Sequence, residues 1–392
     1  MLFKVAGMEP TAKVVYAASV GNWIMRHEPE IWARTAKYVM LPTYLNYKLT
    51  GNLIDSASNQ IGHIPFDYKN RRWMKPGSLT RCFCDVPNEK LCDLVPSGTV
   101  IGTITDALTG IPAGLPLIST GSDKGCETLG LAVVDSDKAS ISLGTTATIQ
   151  FSTTEYVEPQ QFLPAYPGVL NDHYNPEIEI YRGLWLLSWF VKEFGTADAI
   201  DAKEKGMAPE ALLDERIRDL PAGSDGLLLQ PYWTAGILHP DSLGAVIGFS
   251  DYHTRYHFYR AIIEGLCLEL YMALRIMEDR SGLTIHEIRI GGGGAKSELW
   301  LQMQADIYKS QVVTMNVEEG PAAGAAILAA VGAGHFATVE EGCDAWLKVT
   351  RTIEPDMHNA AIYDECYARY KALYPALKES FRLQAELVNR LA

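Results

Sequence analysis

Apolar residues change their period several times along this chain. Residues 285–290 form a short apolar run that ends in four glycines, Gly291 to Gly294. Residues 297–309 repeat apolar positions at helical spacing, 311–316 return to a β-branched run, and 320–331 are a helix-compatible stretch of Gly, Ala and aliphatic residues. This succession predicts a βαβα unit whose glycine turn lets a ligand approach the backbone. Residues 138–153 are β-branched on both sides of Gly144-Thr145-Thr146, which predicts a β-hairpin. Residues 115–120 read as a buried strand and 123–133 as the helix after it. Residues 254–281 read as one long amphipathic helix with Ile262, Leu266, Leu270, Ala273 and Ile276 on a stripe. Residues 14–48 read as helical in two pieces, broken at residues 27–30, where Pro29 suits a helix start. Strands alternating with helices argue for α/β layers. The pattern switches near residues 135–138, which places a domain boundary there.

A length of 392 residues suggests two domains, and 47% hydrophobic with 21% charged residues is the composition of a globular chain, not a disordered or fibrous one. The net charge of −13 disfavours nucleic acid and anionic lipid as partners. The longest weakly polar stretch, residues 322–336, is too short to span a membrane, and the first residues do not read as a secretory signal, so the cytoplasm is the expected location. The seven cysteines, Cys82, Cys84, Cys92, Cys126, Cys267, Cys343 and Cys366, are scattered and never spaced C-x-x-C. They read as reduced structural thiols, and no metal site is expected among them.

Three features could carry chemistry. Four glycines after an apolar strand strip side chains from the backbone near a helix start, which suits a nucleotide; a tight strand-to-helix connection would use the same residues. The turn in Ser142-Leu143-Gly144-Thr145-Thr146 offers amides and hydroxyls to a phosphate, or is a plain hairpin. Asp123 stands between a strand and a helix, where an Asp is commonly an N-cap and where, in an open α/β sheet, it also accepts a proton from a bound hydroxyl.

Taken together and in order, four segments make the chain resemble the FGGY carbohydrate kinases of the actin/hexokinase/Hsp70 superfamily, in particular a xylulokinase-like branch. These are residues 27–59, with their Leu49-Thr50-Gly51 and Asp55; residues 120–147; residues 253–270, with Arg260, Ala261, Glu264 and Gly265; and residues 288–330. The resemblance implies an actin-like ATPase (ribonuclease H-like) two-domain α/β fold, divided into residues 1–135 and 136–392. It implies ATP with Mg2+ phosphorylating a sugar or polyol hydroxyl. It makes Asp123 the general base, puts Ser142, Gly144, Thr145 and Thr146 at the ATP phosphates, and lines the adenosine with Gly292, Gly293 and Gly294, with Ser297 and Gln302 nearby. Asp55 and Ser58 would abut the sugar.

The chain departs from the family pattern in places. The first phosphate hairpin, Asp-x-Gly-Thr, has no counterpart, and the match begins at Lys4-Val5-Ala6-Gly7 in an interior position of the family. The expectation is that about the first hundred residues of a family member are lacking and the first domain is incomplete at its N-terminus. Activity would then be impaired, no metal-ligating residue is assigned, and an exposed sheet edge and apolar surface would favour pairing with a second chain, as in a homodimer. Lys124, and the run from Trp233 to Pro240, also differ from the commoner residues. The alternative is a non-catalytic pseudokinase or regulatory sugar- and nucleotide-binding protein. An actin-like assembly protein is disfavoured, because Asp123 and the Asp55 region look like a small-molecule site.

Overall fold

The computed structural model describes residues 9–78, 81, 83–105, 110–160, 163–236, 239 and 242–391. The stretch from Lys4 to Gly7, Cys82, and Ile237, Leu238 and Pro240 lie outside the described residues. Two compact units are present. Unit 1 takes residues 1–134, 152–176 and 320–347; unit 2 takes 135–151, 177–319 and 348–392. The division into 1–135 and 136–392 is one cut made on motifs, whereas the chain returns twice from unit 2 to unit 1.

Along the chain, unit 1 opens with α1 (Glu9–Ala18), α2 (Val20–His27), α3 (Pro29–Arg34) and α4 (Leu41–Thr50). The break at residues 27–30 lies where the sequence puts it, with Pro29 in the first turn of α3. The expected two pieces are nevertheless four. Ser19 caps α2 by accepting a bond from the Asn22 N–H, and residues 35–40 run without regular structure to the Pro42 that opens α4. Then come β1 (Ile54–Ser56) and β2 (Asp93–Val95), paired in parallel, and β3 (Val100–Thr103) and β4 (Pro116–Ile118), paired antiparallel. The expected buried strand is β4, and it is not buried: it belongs to a two-stranded ribbon, and Leu115 beside it is 46% exposed. Helix α5 (Asp123–Gly130) ends this stretch.

Unit 2 carries β5 (Lys138–Leu143), β6 (Ala147–Phe151), β7 (Glu177–Ile180), α6 (Trp185–Phe194), α7 (Thr196–Glu204), α8 (Pro209–Ile217), α9 (Arg255–Ser281), β8 (Glu287–Gly292), α10 (Glu298–Tyr308) and β9 (Gln311–Met315). Helices α11 (Gly320–Gly332) and α12 (Val339–Trp346) belong to unit 1, and β10 (Val349–Ile353) and α13 (Met357–Leu391) to unit 2. One six-stranded sheet runs β7-β6-β5-β8-β9-β10. Strand β8 lies parallel to both β5 and β9, while the other pairs are antiparallel. The predicted hairpin and βαβα unit are both present.

Helix α9 is more than amphipathic. Ile262, Ile263, Leu266, Cys267, Leu270, Ala273, Leu274 and Met277 are all buried, so apolar neighbours cover it on several sides, while Ile276 of the expected stripe is only half-buried. Its polar motif sits inside as well. The buried Glu264 carboxylate accepts bonds from the Gly223 N–H at 3.0 Å, Ser224 Oγ at 2.7 Å, Arg260 Nε at 2.9 Å and the Tyr363 hydroxyl at 2.8 Å. A buried carboxylate with four donors is compensated, so the Arg260–Glu264 motif ties α9 to its neighbours. Cys84, Cys92, Cys126, Cys267, Cys343 and Cys366 are free and buried, and burial pushes the Cys126 thiol up to about 11. Among the described residues no helix is long and apolar enough to cross a membrane.

Candidate functional site

Asp123 is not the N-cap of its helix. Ser122 holds that position, its Oγ accepting from the Gly125 N–H at 3.1 Å, and Asp123 is the first residue of α5. Its side chain is exposed, and its only hydrogen bond among the described residues comes from the Lys124 N–H to Oδ1, at 2.8 Å. A carboxylate relieved of capping keeps lone pairs for a substrate hydroxyl. Lys124 reaches sideways to the buried Glu127, 3.0 Å away.

The helix that presents Asp123 is set by glycines. A Cβ on Gly130 would lie 1.9 Å from the Gly320 carbonyl oxygen, and one on Gly324 would lie 1.9 Å from that of Cys126. Helices α5 and α11 therefore meet backbone to backbone, which explains the run of small residues in α11.

The segment of Asp55 and Ser58 comes against the same turn. The Ser122 N–H donates to the Ser58 carbonyl at 3.1 Å, and Ser58 Oγ is bonded to Ser97 Oγ and, at 3.3 Å, to the Thr120 carbonyl. The side chain of Asn171, a residue the sequence did not single out, closes the group by accepting from the Ser97 N–H at 3.0 Å. Asp55 lies elsewhere in this network: it is 2% exposed and accepts from Thr43 Oγ1 at 2.6 Å, Asn59 Nδ2 at 2.9 Å and the Ser56 N–H at 2.8 Å. Three internal donors satisfy this buried carboxylate, which ties the start of this segment to α4.

In unit 2 the hairpin tip and the glycine turn are neighbours across the parallel β5–β8 ladder, with Gly291 opposite Ser142 and Gly292 opposite Leu143. Gly292 has φ +77°, and a Cβ there would lie 2.4 Å from the Leu143 carbonyl oxygen. Only glycine fits both demands. Gly292 and Gly293 are exposed and Gly294 is buried against Leu143. At the tip, the Gly144 N–H donates to the Thr146 carbonyl at 2.9 Å, Thr145 is exposed and Ser142 is buried. Two residues missed in the sequence hold this tip. The Gly183 N–H donates to the Thr145 carbonyl at 2.9 Å and the Leu184 N–H to that of Gly144 at 2.8 Å. Gly183, just before a helix start, was the available signal.

Ser297 caps α10, accepting from the Trp300 N–H at 3.2 Å. Gln302 turns the other way. Its amide donates to Asp306 Oδ1 at 2.8 Å and to the Glu354 carbonyl at 3.0 Å. Glu354 follows β10 and bonds Gln311 at the start of β9, so Gln302 points toward the opposite end of the sheet from the glycine turn and does not line it. Among the described residues no group of three or more His, Cys, Asp or Glu side chains could hold a metal ion.

Comparison with known proteins gives this geometry a context. The model for the N-terminal domain of the FGGY family of carbohydrate kinases matches residues 8–130, and that for the C-terminal domain matches 139–333. The chain is 33% identical over 385 residues to a xylulose kinase of Staphylococcus epidermidis, spanning 94% of this chain and 72% of the relative. A ligand-bound xylulose kinase from Lactobacillus acidophilus superposes with a TM-score of 0.82 at 22% identity, over 97% of this chain and 77% of that one. A xylulose kinase from Rhodospirillum rubrum gives 0.78 at 24%, over 94% and 72%. The fold is thus the expected two-domain actin-like one. These kinase relatives do not favour the non-catalytic alternative. The coverage figures leave the unmatched share of the relatives unassigned along their length, and so do not support the expected lack of a first segment.

Proposed function

This chain belongs to the FGGY family of carbohydrate kinases and phosphorylates a sugar with ATP; from that premise we propose that Asp123 is the general base of the transfer. The observation that carries the reading is the division of labour at the start of α5, where Ser122 takes the cap and leaves the Asp123 carboxylate exposed. Each unit supplies one half of the chemistry. In unit 1, Asp123 accepts the proton of the attacking hydroxyl, while Ser58, Ser97 and Asn171 fix the turn that presents it. In unit 2, the amides and hydroxyls of Thr145 and Thr146, beside Ser142 and Gly144, face the phosphates of ATP, and Gly292, Gly293, Gly294 and Ser297 the adenosine. The hydroxyl oxygen attacks the γ-phosphorus in line and ADP leaves, so positioning and charge neutralisation carry most of the rate.

Magnesium would enter on the ATP phosphates and offset their negative charge there. The names of the relatives support a five-carbon ketose such as xylulose as the first substrate to try. ATP as donor suits a cytoplasmic site of action.

The test is Asp123→Asn. Transfer from ATP to xylulose should fall roughly 10²- to 10⁴-fold, with ATP affinity by calorimetry unchanged. Retention of wild-type turnover would remove Asp123 as the base.

A further inference from the structure

Phosphoryl transfer needs positive charge at the phosphates, and the turn from Gly144 to Thr146 offers only amides and hydroxyls. We infer that Arg182 is the phosphate-contacting cation of this kinase, an inference that rests on reading residues 142–146 as the phosphate hairpin.

Backbone geometry places Arg182 there. The Gly183 and Leu184 N–H groups bond the Thr145 and Gly144 carbonyls at 2.9 and 2.8 Å, and a Cβ on Gly183 would lie 2.6 Å from the Thr146 carbonyl carbon. The residue before Gly183 is therefore carried at the edge of the hairpin tip. Its side chain is held at two further points. The guanidinium lies 4.7 Å from the centre of the Trp185 ring, and Nε donates to Thr234 Oγ1 at 2.9 Å. Thr234 is itself fixed, because the preceding Trp233 ring packs against Gly244, where a Cβ would lie 2.4 Å from it, and meets Trp189 edge-on at 5.2 Å.

What this anchoring leaves over is the fork. Neither Nη1 nor Nη2 of Arg182 has a partner among the described residues. In the same unit Arg216, Arg255, Arg260, Arg275 and Arg289 each pair with an Asp or Glu. Arg182 is half-buried with no ion pair among the described residues, set beside an aromatic ring and aimed by a hydroxyl. A planar, oriented, anion-free guanidinium is the group that takes two oxygens of one phosphate at once. Lys296 also stands near the glycine turn, but it is exposed and no side chain holds it.

The experiment titrates ATP, ADP and adenosine into the wild type, Arg182→Gln, Arg182→Lys and Lys296→Gln by calorimetry, with thermal melts to confirm folding. Arg182→Gln should weaken ATP and ADP roughly tenfold to hundredfold, as expected for loss of charge-assisted bonds, and leave adenosine unchanged; Arg182→Lys should fall between. The inference is overturned if Arg182→Gln binds ATP like the wild type, if ATP and adenosine weaken together, or if Lys296→Gln weakens ATP equally. Thr234→Val keeps the charge and removes its anchor, so it covers the case of a misfolded Arg182→Gln; a small loss in ATP affinity supports the inference and none overturns it. A wild type that binds adenosine but gains nothing from the phosphates of ATP would sink the hairpin reading itself, which is a different failure.

Discussion

The two units hold themselves together by different means. Unit 2 is built on a six-stranded sheet and one large apolar core, in which Phe151, Phe190, Tyr259, Ile262, Leu266 and Leu301 are fully covered. In unit 1 the described strands pair only two at a time, and Val20, Trp23, Leu41 and Leu45 on α2 and α4 are 50–70% exposed. Its order comes from close backbone packing at Gly130, Gly320 and Gly324 and from buried polar contacts around Asp55, Ser58 and Ser97. The proposed phosphate cradle gains from a rigid sheet, whereas the proposed base needs only one helix start held in place. Unit 2 is accordingly sensitive to volume lost from its core, and unit 1 to side-chain atoms added at its glycine contacts.

The sharpest way to break this comparison is Gly130→Leu. With a carbonyl oxygen 1.9 Å from the new Cβ, α5 and α11 must separate, and no rotamer relieves a clash that begins at Cβ. The expected outcome is loss of cooperative folding of unit 1, read as lost amide protection in α5 and α11 while the sheet of unit 2 stays protected. Wild-type protection in α5 would refute the account of unit 1. The counterpart is Phe190→Ala, which removes a 0% exposed side chain from α6. It should cost about 3–5 kcal/mol by urea denaturation and lower protection in unit 2 first. A cost under about 1 kcal/mol would mean that the core is not what holds this unit.

Unit 2 was also the more legible of the two. Hairpin, glycine turn, α10, β9 and the extent of α9 follow from local period and turn chemistry, because a large sheet buries each strand in the pattern its sequence carries. Unit 1 is less legible for a physical reason. Where strands are three residues long and helices break at Ser19 and Pro29, periodicity has too few residues to register. The same limit governs the site. Asp123 was visible as a carboxylate at a helix start, but that Ser122 takes the cap depends on backbone angles that no spacing reveals. Asp55 and Gln302 were named from a pattern, and their hydrogen-bond partners, Thr43, Asn59, Asp306 and Glu354, give them internal roles. Gly183 and Arg182 went unread because their importance lies in what they lie beside.

The smallest effect separates two acids, one from each unit. Asp55 in unit 1 is buried among three donors, so its charge is answered where it lies. Asp214 on α8 of unit 2 is pushed up to about 6, chiefly by burial, with Glu210 one turn away adding repulsion and the Ser297 hydroxyl and Arg218 only partly opposing it. The buried Tyr259 hydroxyl, which has no partner among the described residues, is also close enough to feel this charge. The folded state thus holds the Asp214 proton more tightly than the unfolded chain, whose carboxyl ionises near the ordinary 3.8. The stabilisation is fully present below pH 3.8 and drains away as the pH rises to about 6, a change of up to about 3 kcal/mol for a two-unit difference. Asp214→Asn keeps the shape and removes the titration. Measured against wild type, the variant should therefore gain stability between pH 4 and pH 8 by about 1–3 kcal/mol. Asp55→Asn should instead lose stability, because it takes a lone-pair partner from buried donors. If both variants respond alike, the contrast between Asp55, held by three donors, and Asp214, pushed up by burial, fails.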